Sequence, residues 1–203
     1  MSLAQGFEAK GASRSSGRRR RWPNVVRAAA ILTVAASLGA LLFLHPLARL
    51  GIFYNETPSE PLGFYEEQPI GHLHDGEIVT FCPDPRWPIV ALAKRRGWLA
   101  PGPCPGNFAP FIKTVAAVPG QTVILSARGV CVDGRCLPHS APKARSWLGH
   151  TVLPHYPFGH YRMPPGTVWL YGSLSPWSLD SRYYGPVAQS RLRESARPLW
   201  TWE

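Results

Sequence analysis

The chain is predicted to be mainly β: an antiparallel β-rich domain carried on a single N-terminal apolar helix. Three observations predict this class. Proline supplies 22 of the 203 residues, about twice the usual share, which argues against long helices in the body. Short β-branched and aromatic runs recur between Gly- and Pro-bearing turns. The one long apolar run, Val25 to Leu44, lies near the N terminus.

In order along the chain, residues 1–23 are rich in Ser, Gly and Arg. That composition predicts a disordered basic tail. The next segment, 24–45, is expected to be a transmembrane signal anchor, because about 20 apolar residues match a hydrocarbon core of roughly 30 Å. The arginine block before it places that end in the cytoplasm by the positive-inside rule. A cleaved signal peptide is the rival reading, disfavoured by the length of the run and the lack of a clean small-x-small site. The formal net charge is +10, but residues 1–49 hold eight basic side chains against one acidic, and the rest holds 14 against 11. The excess belongs to the tail, so no basic stripe for nucleic acid is expected. The body, 50–203, would lie in the periplasm of a bacterium, beyond its inner membrane.

Within the body the expected strands are Glu77–Phe81, Pro110–Ala116, Thr122–Ser126, Gly129–Val132 and Thr167–Tyr171. One internal helix is expected, from Ile89 to Arg96, stopped by Gly97. All four cysteines fall after the anchor, where disulfides are permitted. In Cys131-Val-Asp133-Gly134-Arg-Cys136, Asp-Gly supplies the positive φ angles of a type I′ turn, so Cys131 faces Cys136 across a hairpin. Cys82 and Cys104 then pair by elimination. Zinc is the rival, but a Cys-x4-Cys spacing is wide for a metal knuckle.

The chemistry centres on a serine and a lysine. A serine hydroxyl needs a base, and no histidine sits in a nucleophilic setting or beside a Gly-x-Ser-x-Gly elbow. A lysine serves only when neutral, which is true of roughly one in a few thousand at pH 7 unless burial lowers its pKa. The chain has Lys10, Lys94, Lys113 and Lys143, and Lys113 alone lies in an apolar run. Strand alternation puts it on one face with Phe111 and Val115. An edge-strand lysine reaching water is the bland alternative.

The ordered set Thr57-x-Ser59-x-Pro61-x-Gly63-x-Tyr65, Phe81-Cys-Pro83, Cys104-Pro-Gly106, Lys113 and Asp180-Ser-Arg182-Tyr-x-Gly-Pro186 resembles the type I signal peptidases. The likeness is strongest to their conjugative-transfer (TraF-type) branch, which shares the terminal Arg197-Pro-Leu-Trp-Thr-Trp202 run. The resemblance implies a signal-peptidase-like β domain and a membrane-anchored serine endopeptidase. Ser59 would be the nucleophile and Lys113 the general base. The Ser59 amide and the Thr57 hydroxyl would hold the oxyanion. Ser178 would help hold the lysine, and Asp180, acting through Arg182, would organise the site. Two departures from the housekeeping enzymes, Glu60 after the serine and Gly172-Ser173-Leu174-Ser175, favour the transfer branch. Its enzymes mature a pilin-type precursor and in some systems cyclise it. Removal of secretory signal peptides, or a non-catalytic role in an envelope complex, are the alternatives.

Neither a metal nor another cofactor is expected. His72 and His74 share a strand face on this reading, but solvated loop histidines are the commoner case. His150, His155 and His160 recur at a spacing that fits neither helix nor strand. The tryptophans Trp169, Trp177, Trp200 and Trp202 are expected mostly in the core, with some free to rest on a bilayer. The expected partners are the membrane and a pilin-like or signal-peptide-bearing precursor.

Overall fold

The computed structural model describes residues 24–203; the predicted basic tail lies outside the described residues. The chain divides into two compact units, Met1–Leu44 and His45–Glu203. Residues Asn24–Arg49 form helix α1, of 26 residues. Against the transmembrane anchor expected over 24–45, among the described residues no helix is long and apolar enough to cross a membrane.

The second unit is antiparallel throughout. Its elements are β1 (Ile52–Asn55), β2 (Leu62–Gln68), β3 (Ile78–Phe81), α2 (Pro88–Arg95), β4 (Phe111–Ala117), β5 (Thr122–Ser126), β6 (Gly129–Val132), β7 (Arg135–Cys136), β8 (Gly159–Arg162), β9 (Thr167–Tyr171), α3 (Ser181–Tyr184), β10 (Val187–Ala188) and β11 (Leu192–Trp202). A seven-stranded sheet runs β1-β2-β11-β3-β4-β9-β10, and a four-stranded sheet runs β7-β6-β5-β8.

Local chemistry explains most boundaries. Pro88 opens α2, where a missing N–H costs nothing. Gly97 closes it at φ +68°, with Trp98 N–H bonded to the Ala93 carbonyl and Gly97 N–H to that of Lys94, the pair of bonds of a Schellman cap. The Cys82–Cys104 disulfide clips this excursion at its base. Asp133 and Gly134 both have positive φ, the β6–β7 hairpin pairs Cys131 with Cys136, and the two are bridged.

One core packs Val79, Phe81, Ile89, Val90, Phe108, Val115, Val168 and Leu170 between the large sheet and α2. A second gathers Val123, Leu125, Val130 and Met163 of the small sheet region around Trp169 and Tyr171. Trp169 is the one tryptophan of the C-terminal set that is buried; Trp177, Trp200 and Trp202 are exposed, so the expectation of a mostly core set is corrected. His72 and His74 lie in the loop before β3 rather than on a strand face, since Gly71, Asp75 and Gly76 turn the chain there.

The longest strand, β11, is absent from the predicted set. Its Arg-Glu-Ser-Ala-Arg-Pro run shows no clean alternation, yet it lies between β2 and β3. Pro198 is tolerated because the β3 pairing of β11 ends at Ser195 and the β2 pairing slips between Pro198 and Trp200. Opposite that bulge Gly63 has φ +136°, and a Cβ there would lie 2.2 Å from the Trp200 carbonyl oxygen. Gly63→Ala is therefore expected to lower stability by about 2 kcal/mol or more. Thermal unfolding checks this, and an unchanged Tm would show that the β2–β11 crossing does not depend on the missing side chain.

Candidate active site

Ser59 lies in the loop after β1, and Lys113 in the middle of β4, one strand removed from β11. Both are buried, at 6% and 4% exposure. Lys113 Nζ donates to Ser59 Oγ at 2.9 Å and to the Ile112 carbonyl at 2.7 Å. Among the described residues no carboxylate stands within ion-pair reach of the amine. Burial pulls its pKa down to about 8, with Arg182 helping and the charges of Glu60 and Asp180 opposing. A lysine of this kind is the chemical requirement for a Ser/Lys pair: near neutrality an appreciable fraction is unprotonated.

The serine loop is fastened from within. Asn55 Oδ1 accepts from the Thr57 N–H at 3.0 Å and the Thr57 hydroxyl at 2.7 Å. Asn55 Nδ2 donates to the carbonyls of Thr57, Glu60 and Pro61. Thr57 Oγ1 lies 3.4 Å from Ser59 Oγ. From the far side the Leu174 N–H donates to the Ser59 carbonyl at 3.2 Å. Asn55 was missed in the sequence reading, although Asn-x-Thr is a legible Asx-turn signal.

Asp180 and Arg182 form a fully buried pair. Arg182 Nε and Nη2 each donate to one Asp180 oxygen at 2.7 Å, and the remaining guanidinium protons go to the carbonyls of His139, Ser175, Pro176 and Ser178. Asp180 Oδ2 also accepts from the Gly172 N–H at 2.9 Å. The pair thus ties the end of β9 to the loop that carries Ser178. Ser178 Oγ is buried and has no hydrogen-bond partner; it is not bonded to Lys113. A Cβ at Gly172 would fall 2.0 Å from Ser178 Oγ and 3.1 Å from Ser59 Cβ, so the glycine lets three segments converge.

Ser59 opens onto two clefts. One, of about 540 Å³, includes Phe53, Tyr54, Leu99, Phe111, Ile112 and Lys113 in its walls. The other, of about 630 Å³, includes Trp147, Leu148, Leu153 and Trp177. Thr57, Ser59, Trp98, Ser178 and Leu179 belong to both. A larger groove of about 810 Å³, near Ile70, His72, Val118 and Leu192, holds neither Ser59 nor Lys113. Among the described residues no His, Cys, Asp and Glu cluster has the geometry of a metal site.

Replacing Asp180 by asparagine leaves Arg182 as a buried charge with half its partner removed. Asp180→Asn is expected to cost about 3–5 kcal/mol. Urea unfolding measures it; stability within 1 kcal/mol of wild type, an approximate limit for a surface pair, would mean the pair is not structural.

The family model described as signal peptidase, peptidase S26 matches residues 22–201. A conjugal transfer protein TraF of Agrobacterium tumefaciens (strain 15955) is 40% identical over 168 residues, covering 80% of this chain and 92% of its own. A plasmid transfer protein TraF of Escherichia coli is 38% identical over 170 residues, covering 83% and 94%. A probable conjugal transfer protein TraF of Sinorhizobium fredii (strain NBRC 101917 / NGR234) is 36% identical over 190 residues, covering 92% and 95%. Among solved structures, a signal peptidase I of Enterococcus faecalis V583 covers 62% of this chain at 20% identity with a TM-score of 0.35, too distant to weigh. The chain belongs to the signal peptidase family, peptidase S26.

Proposed function

We propose that this protein is a serine endopeptidase with a Ser59–Lys113 dyad that cleaves a pilin-type precursor in conjugative transfer. The observation that carries the reading is the 2.9 Å contact between a buried, unpaired amine and a buried hydroxyl. Neutral Lys113 takes the Ser59 proton as Oγ attacks the scissile carbonyl. The oxyanion forms against the Ser59 amide and the Thr57 hydroxyl. That hydroxyl now donates to Asn55, so its proton swings to the substrate oxygen when the tetrahedral intermediate forms. The Lys113 ammonium then protonates the departing amine, leaving an ester on Ser59. Water resolves the ester to a linear product; an amine of the same chain would resolve it to a ring. Ser178, the unpartnered hydroxyl beside Gly172, is suited to accept from the ammonium after proton transfer.

The TraF names of the relatives support a role in transfer, and the cysteine pairing supports work in an oxidising compartment. On this reading the catalytic domain acts in the periplasm at the bacterial inner membrane. The precursor would enter extended, adding to the free edge of β1.

Ser59→Ala and Lys113→Arg are each expected to lower precursor cleavage by about 10³-fold or more while the protein stays folded, because arginine cannot surrender a proton. Intact-mass analysis of a co-expressed pilin precursor reads this out, and substantial turnover by the arginine variant removes the base assignment. With wild type, kcat/KM is expected to rise with pH and level off above about 8 as Lys113 loses its proton. A flat profile from pH 6 to 9, roughly the span of that titration, would exclude lysine as the base.

A further inference from the structure

Glu60, next to the nucleophile, is 1% exposed. Its Oε1 accepts from the Thr114 N–H at 2.9 Å and the Ser173 N–H at 3.4 Å. Its Oε2 accepts from the Thr114 hydroxyl at 2.9 Å and the Ser173 hydroxyl at 2.7 Å. Four donors thus converge on two oxygens, the arrangement that suits an acceptor-only carboxylate. Thr114 follows Lys113 in β4, and Ser173 follows Gly172, beside the serine. The carboxylate therefore joins one neighbour of the nucleophile, one neighbour of the base and the segment that packs against both.

We propose that Glu60 is a positioning residue that holds Ser59 and Lys113 in register and keeps a buried negative charge beside the lysine. This rests on the peptidase reading above. The serine loop and β4 are 54 residues apart in sequence, and neither the Asn55 bonds nor the Asp180–Arg182 pair reaches Thr114. Glu60 supplies that link. Among the groups facing it, Lys113 comes from β4, Tyr65 from β2 and Tyr171 from β9; Asp180 and Arg182 act on the same lysine from the start of α3. Burial pushes the Glu60 carboxyl up, and the bonds from Ser173 and Thr114 with the charge of Lys113 pull it back. The negative charge favours the ammonium form of Lys113, so removing it should let the amine lose its proton at lower pH.

The test uses the full chain with ¹³C at the lysine ε-carbons. It carries four lysines, Lys10, Lys94, Lys113 and Lys143, and Lys113→Arg assigns the signal. In Glu60→Gln the Lys113 midpoint is expected about one pH unit lower. Its kcat on the pilin precursor is expected to fall about tenfold or more, with KM within about twofold. Ser173→Ala keeps the charge and loses a bond, so it should lower kcat without lowering the midpoint. A Glu60→Gln protein with wild-type midpoint and wild-type kcat overturns the proposal. Should Glu60→Gln fail to fold, Ser173→Ala combined with Thr114→Val decides: wild-type kcat there overturns it, and a lowered kcat with unchanged KM supports it. Cleavage absent from wild type and variants alike would sink the peptidase reading. The titration alone would then decide on Glu60, a lowered midpoint supporting it and an unchanged one overturning it.

Discussion

The dry amine of Lys113 is the constraint around which the rest of the domain is arranged. A lysine placed in the middle of a strand ordinarily snorkels to water. Here β3 and β9 flank its strand, the serine loop covers its tip, and the amine is left with a hydroxyl and a carbonyl as partners. Desolvation disfavours its charged form, and that cost to folding is what would suit the group to the proposed role of base. A carboxylate placed against it would have repaid the cost and abolished the basicity gained. The nearby carboxylates are instead committed elsewhere: Asp180 to Arg182, Glu60 to Thr114 and Ser173.

The sheet reaches this arrangement through its irregularities as much as its ladders. The β4–β9 register slips between Val115 and Ala117, just past the lysine. Gly63 and Gly172 stand where backbone or side chain from another segment occupies the space of a Cβ. Such positions trade backbone entropy for close approach. The Asp180–Arg182 pair then carries five carbonyl and amide contacts around itself and fixes the loop that contains Ser178. A buried ion pair adds little net stability against an apolar replacement. Its contribution here is geometric, as the bidentate fork leaves one arrangement of the loop.

The walls of the clefts come from less regular chain. The excursion between Cys82 and Cys104 supplies Trp98, Leu99 and Pro103, and a disulfide at its base limits how far those side chains can wander. Exposed Trp147 and Trp177 line the opposite side of Ser59. A strand thus holds the Lys113 amine and a fastened loop the Ser59 hydroxyl, while less regular chain shapes what reaches them.

Local signals were strong enough to determine several parts from sequence alone. Asp133-Gly134 sets its turn through positive φ, so the hairpin and the Cys131–Cys136 pairing were legible. Strands β5, β6 and β9 follow from β-branched runs bounded by turn residues, and α2 from Pro88 and Gly97. The pairing of Ser59 with Lys113 was legible only as a pattern of residue types in order. Tertiary structure decided the rest. Strand β11 looks polar and holds a proline, and only its neighbours and a bulge make it an interior strand. Nothing local marks Glu60 for burial, which depends on donors 54 and 113 positions away. The apolar N-terminal run was legible as a helix. Contacts between residues distant in the chain leave no local periodicity, which is why Ser59 was visible in the sequence and the role of the carboxylate beside it was not.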